Sequence, residues 1–171
     1  MARIIGIDFG TSSTQVAMNR NGSFNLAVKN TDVSTPGWIG QLPDGGFLYG
    51  AAADPGGKQV ISVPLQRLKR LLGQRQEIQF GANLYSPVEL TGFFLKHVLN
   101  QTSYPDEPAQ AQAVITVPSA VGSFYRLQLK EAGLIAGLKA VRLLSESTAA
   151  MMDFSVEYPG YKNVLVYCLG A

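Results

Sequence analysis

Short strand-like runs open this chain, and helical periodicity follows them. Arg3 to Asp8 is a compact apolar run, and about Gln15 to Asn19 and about Ser23 to Val28 read as two further strands. Asn21-Gly22 separates the last two and is a strong two-residue hairpin signal. The opening 29 residues therefore predict a β-meander.

Residues 30–60 are punctuated by Thr35-Pro36-Gly37, Pro43-Asp44-Gly45-Gly46 and Asp54-Pro55-Gly56-Gly57. Short strands are expected between these turns, around Trp38–Ile39 and Phe47–Tyr49. Leu65, Leu68 and Leu72 recur at helical spacing, which predicts a helix from about Pro64 to Leu72, with Pro64 in its first turn and Gly73 at its end. Lys69 then borders the apolar stripe. Ser86-Pro87-Val88-Glu89 is a capping-box start, and Leu90, Phe94, Leu95 and Val98 extend an apolar face to about Asn100. His97 lies beside that face and reads as a packed structural histidine.

A polar link spans 101–111. Ala113-Val114-Ile115-Thr116-Val117-Pro118 is a continuous apolar strand of the kind buried on both faces. A helix is expected from Ser123 to Ile135, a strand from Ala140 to Leu144, a turn and short helix from Ser145 to about Phe154, and a last strand from Val164 to Tyr167. A meander followed by strand–helix–strand–helix is an α/β pattern: a mixed sheet with helices on its faces. Residues 1–29 and 112–160 form its expected core, and 30–111 an inserted smaller α+β subdomain.

Composition narrows the classes. The 171 residues are 46% hydrophobic and 15% charged, as expected of a globular fold. A net charge of +2 argues against a dedicated nucleic-acid binder. The densest basic cluster, Arg67, Lys69, Arg70 and Arg75, reads as a solvated surface. One cysteine, Cys168, excludes an internal disulfide framework and a multi-cysteine zinc site. There is no signal-peptide core, and no apolar stretch approaches the roughly 20 residues of a membrane span. A soluble, cytoplasmic protein without a membrane partner is expected.

The candidate chemistry starts at Ile5-Gly6-Ile7-Asp8-Phe9-Gly10-Thr11-Ser12-Ser13. A strand delivers a carboxylate, and a turn with one glycine and three hydroxyls follows. Such a turn can aim N–H and O–H groups at a phosphate, while Asp8 is placed to hold a hard cation. Each residue also has a plainer reading. Asp8 alone reads as a turn-initiating carboxylate, Lys69 alone as a solvated helix residue, Glu146 as a helix cap, and Thr11, Ser12 and Ser13 as a tight turn.

The order of several motifs tips this balance. Gly6-Ile7-Asp8-Phe9-Gly10-Thr11, Lys69-Arg70-Leu71-Leu72-Gly73, Ala113 to Pro118 and Glu146-Ser147-Thr148-Ala149-Ala150 together resemble the ATPase domain of the seventy-kilodalton heat-shock chaperones, in the actin and sugar-kinase superfamily. The likeness covers essentially the whole chain but only the first half of that domain. It implies an actin-like, ribonuclease H-like ATPase lobe. It implies that Asp8 and Glu146 serve a Mg²⁺ shell through water, and that Gly10, Thr11, Ser12 and Ser13 line the first phosphate loop of ATP or ADP. It implies catalytic roles for Asp8, Lys69 and Glu146, with Lys69 orienting the attacking water. It implies a part for Pro118 and Arg126 in relaying nucleotide state to a partner surface, and co-chaperones as partners.

Two departures stand out. Cys168 occupies the place of an aspartate, and a thiol is a soft, poor ligand for magnesium. Ser147 replaces a proline. Residues 161–171 are expected to be the first strand of a second lobe that is missing here. The expectation is therefore an ATPase-lineage chain, truncated, binding ATP weakly and hydrolysing it negligibly. The alternative is a non-catalytic interaction module that self-associates through 161–171. A sugar or acetate kinase relative is disfavoured by the Lys69-Arg70 and Glu146–Ala150 motifs.

Overall fold

The computed structural model describes residues 3–20, 23–27, 34–54, 56, 65–102 and 111–168. Its centre is a six-stranded mixed sheet. Strands β1 (Arg3–Phe9), β2 (Ser13–Arg20) and β3 (Ser23–Leu26) form the meander, with β4 (Thr35–Pro36) added on β2. Strand β10 (Ala111–Val117) lies parallel to β1, and β11 (Ala140–Ser145) parallel to β10. The path across the sheet is β11-β10-β1-β2-β3. The hairpin turn expected at Asn21-Gly22 lies outside the described residues, as do Val28 and Pro64.

Alternation along the strands decides the two faces. Ile5, Ile7 and Phe9 of β1 are buried, and so are Val16 and Met18 of β2 and Ala113, Ile115 and Val117 of β10. In register, Ile7 pairs with Val16 on one side and Ile115 on the other, so these side chains form one continuous apolar surface. Helices α1 (Pro87–Asn100) and α2 (Ser123–Ile135) supply the matching core residues Leu90, Phe94, Leu95 and Leu129, all fully buried. A glycine lets these helices come close: a Cβ on Gly92 would stand 3.1 Å from the Ala132 carbonyl oxygen.

The opposite face of the sheet is more open. Ile4 and Asp8 are exposed there, and α3 (Glu146–Glu157) has no fully buried residue. Strand β10 was expected to be buried on both faces. Instead it alternates between buried and half-buried positions, because only one face carries the α1–α2 layer.

The remaining strands are small. Strands β5 (Trp38–Gln41), β6 (Phe47–Tyr49) and β7 (Leu65–Gln66) form one sheet, and β8 (Ile78–Phe80) pairs with β9 (Asn83–Tyr85). The capping box of α1 is present: the Glu89 N–H donates to Ser86 Oγ at 3.2 Å, and the Ser86 N–H donates to Glu89 Oε2 at 2.8 Å. His97 stacks on Tyr49 with ring centres 4.8 Å apart, in keeping with a packing role. No helix among the described residues is long and apolar enough to cross a membrane.

Two expected elements are different. The helix expected over 64–72 is replaced by β7, a left-handed Arg67 (φ 58°) and a single 3-10 turn, Leu68–Arg70. The leucine spacing mimicked a helix because Leu68 and Leu72 enter the core from the turn, while Leu65 packs from the strand paired with Ile39. A residue in the left-handed region cannot continue an α-helix. The expected strand at Val164–Tyr167 pairs with no described strand; Leu165 and Tyr167 are 93% and 81% exposed.

Candidate phosphate-binding cleft

Asp8 stands near the end of β1, on the open face. Its Oδ1 accepts a hydrogen bond of 2.6 Å from the Thr116 hydroxyl on the neighbouring strand β10. The parallel register of β1 and β10 places these two side chains side by side. The turn that follows is closed by the Gly10 N–H, which donates to the Ser13 carbonyl at 3.0 Å. A Cβ on Gly10 would overlap that carbonyl, so the close approach requires glycine. The Gly37 N–H pins the turn from outside by donating to the Ser12 carbonyl at 2.9 Å.

Lys69 projects from the 3-10 turn and is only 8% exposed. Its Nζ donates to Glu146 Oε1. A buried ammonium needs such a partner, since an unpaired charge in low dielectric is strongly disfavoured. Glu146 begins α3, where the helix N-terminus favours a carboxylate. Ser145 caps the same helix by accepting from the Thr148 N–H at 3.2 Å. Ser147, at the position of the expected proline, bonds the Ser119 hydroxyl at 2.9 Å and so ties α3 to the loop after β10. Arg126 supports that loop: its Nε donates to the Val121 carbonyl at 3.3 Å.

These groups share one cleft of about 770 Å³. It is lined by Asp8, Gly10, Thr11, Ser12, Ser13, Lys69 and Glu146, together with Thr116, Asp153 and Cys168. The structure thus brings together the residues expected for the phosphate turn, the carboxylates and the amine, while Pro118 and Arg126 lie outside the cleft lining. Thr116 and Asp153 were not anticipated. A hydroxyl interrupting the apolar β10 run was a signal for the first; nothing local marked the second. Tyr125 lies behind this region, buried, with a hydroxyl that has no hydrogen-bond partner among the described residues. Burial, and then the nearby Glu146 carboxylate, push its pKa up.

The donor set suits a hard cation only in part. Among the described residues, no three His, Cys, Asp or Glu side chains are grouped so as to hold a metal. Magnesium does not need such a cage, since it commonly uses one or two carboxylates with phosphate oxygens and waters. Asp8 and Glu146 fit that requirement.

A mixed sheet with flanking helices and a glycine–hydroxyl turn after its first strand is consistent with an actin-like ATPase lobe, and the family match identifies it as one. The Hsp70 protein family model matches residues 75–171, more than half of the chain. The chain is 33% identical to the chaperone protein DnaK of Elusimicrobium minutum and 31% identical to that of Endomicrobium trichonymphae, in each case over 99% of this chain and 28% of the relative. DnaK of Thermotoga petrophila is 31% identical over 98% of this chain and 28% of its own length. The chain belongs to the Hsp70 family and corresponds to part of its ATPase domain. It spans less than a third of the length of these relatives.

Proposed function

We propose that the cleft binds the polyphosphate of ATP or ADP together with Mg²⁺. The observation that carries this reading is the convergence of Asp8, the Gly10–Ser13 turn, Lys69 and Glu146 on one cavity. The turn presents N–H and O–H groups to phosphate oxygens. Asp8, held by Thr116, and Glu146 at the head of α3 would hold the cation through water. The cation would neutralise charge across the phosphates. Lys69 supplies fixed positive charge beside the terminal phosphate and orients a water, which is most of what phosphoryl transfer to water asks of a protein.

Binding in this chain alone is weak in the proposal. None of the described residues lining the cleft is aromatic, so the base finds no stacking surface there. Cys168 adds a soft thiol to a site for a hard cation. Turnover is negligible, and a cytoplasmic chaperone setting with co-chaperone partners belongs to the same reading. So does the division into a core of 1–29 and 112–160 and an insert of 30–111, with α1 as the part of the insert that packs on α2.

Isothermal titration with Mg-ATP tests the affinity. The expected dissociation constant is near millimolar, about 4 kcal/mol of binding free energy. Micromolar affinity would overturn the weak-binding claim, and no heat at saturating nucleotide would remove the phosphate reading.

A second reading, a non-catalytic module that self-associates, has its own observation. Val156, Leu165 and Tyr167 are 85%, 93% and 81% exposed on and beyond α3, an unusual density of uncovered apolar groups.

A further inference from the structure

Helix α2 carries a buried amide that the phosphate chemistry does not use. Gln128 is 6% exposed. Its Oε1 accepts from the Gly73 N–H at 2.6 Å, and its Nε2 donates to the Gln74 carbonyl at 2.9 Å. One side chain thus holds the backbone N–H of one residue and the carbonyl of the next, 55 and 54 positions away in sequence. An apolar side chain of similar volume would fill the same space without needing partners. What the amide adds is a fixed position for the backbone that it grips.

That backbone is the exit of the turn bearing Lys69. The turn has only three residues, closed by Arg70 N–H to Arg67 carbonyl at 2.8 Å and Leu71 N–H to Leu68 carbonyl at 2.9 Å. It is entered through left-handed Arg67 and left through left-handed Gly73, at φ 58° and 88°. A single 3-10 turn has little stability of its own. Its placement depends on its anchors: Leu68 and Leu72 in the core, and the Gln128 amide at its exit. Tyr125, three residues before Gln128 on the same helix, closes the other side of Gly73; a Cβ there would stand 3.6 Å from its Cδ2. The α2 face that packs into the core therefore also sets where the Lys69 amine stands relative to Glu146.

We propose that Gln128 is a positioning residue for Lys69, acting through the Gly73–Gln74 backbone to keep the ammonium aligned with Glu146 in the cleft. Its consequence for nucleotide rests on the phosphate reading above; the alignment itself does not.

Gln128→Leu removes both bonds at nearly constant volume. The Gly73 amide should then exchange with deuterium about tenfold faster, the effect expected of losing an ordinary buried hydrogen bond. Acetylation of Lys69 by an amine-directed reagent, read by mass spectrometry, should rise about threefold or more against the exposed Lys96 and Lys162. Glu146→Ala sets the ceiling for Lys69 labelling. Leu129→Ala, a core variant on the same helix, controls for general loosening and should leave the ratio unchanged. If leucine prevents folding, Gln128→Glu keeps the acceptor for Gly73, loses the donor to Gln74, and should give an intermediate rise.

A folded variant with fast Gly73 exchange and unchanged Lys69 labelling would overturn the proposal. So would an equal rise in Leu129→Ala. A selective rise in Gln128→Leu, in a chain that gives no heat with Mg-ATP, would uphold the positioning role and remove the nucleotide reading instead.

Discussion

Thr116 Oγ1 donates to Asp8 Oδ1 across 2.6 Å, joining two parallel neighbouring strands through residues 108 apart in sequence. The bond orients the carboxylate at the mouth of the Gly10–Ser13 turn. It also ties the first strand of the meander to the strand that leads into α2. Thr116→Val keeps the shape and removes the donor. Mg-ATP affinity should fall about three- to tenfold, in line with one hydrogen bond to a charged group, with a stability loss below about 1.5 kcal/mol. Calorimetric titration and urea denaturation of the same preparation separate the two effects.

Breaking the Lys69–Glu146 pair from the acidic side should destabilise the chain. Lys69 is 8% exposed and Glu146 31%, so the lysine is left with a buried, unpartnered charge in Glu146→Ala. Because the pair is partly solvated, the expected loss is about 1–3 kcal/mol, below that of a fully buried pair. Lys69→Met in the same background should restore much of the stability while leaving nucleotide binding impaired. Denaturant midpoints for the two single variants and the double variant measure this coupling.

His97 predicts a pH dependence. Burial against Tyr49 lowers its pKa from the ordinary 6.5. Between the folded value and 6.5 the unfolded chain binds more protons, so stability rises with pH across that window. The contribution is fully present above 6.5 and is lost as pH falls through the window toward the folded value. Urea midpoints measured from pH 5 to 7.5 should show this slope, and His97→Gln should flatten it.

The exposed apolar groups near the C-terminal end predict association. Leu165 and Tyr167 are 93% and 81% exposed, and a cavity of about 450 Å³ lined by Phe154, Tyr161 and Val166 opens beside them. Multi-angle light scattering should report a species heavier than 18.4 kDa at high concentration, shifted back toward monomer by Leu165→Ser with Tyr167→Ser. Identical monomer mass for both proteins would remove the self-association reading.

Most of the central sheet and the three α-helices among the described residues were legible because their signals are local. The apolar run of β1, the capping box at Ser86 and the apolar run of β10 each state their own structure. The turn around Lys69 was not legible: Leu65, Leu68 and Leu72 have helical spacing, but the strand pairing of Leu65 and the left-handed Arg67 are tertiary choices. The short strands β7, β8 and β9 depend on partners distant or weakly marked in sequence. The cleft was legible as a set of motifs. Of its supports, Thr116 showed only as a hydroxyl in an apolar run, and Gln128 not at all, because each acts through a partner more than 50 residues away.

The most direct measurement is an amide chemical-shift map of the chain during titration with Mg-ATP. If the cleft binds the nucleotide, shifts cluster at Asp8 to Ser13, at Lys69 and at Glu146 to Ala150, and Lys69→Ala reduces them throughout. Shifts confined to another surface, or none at millimolar nucleotide, would contradict it.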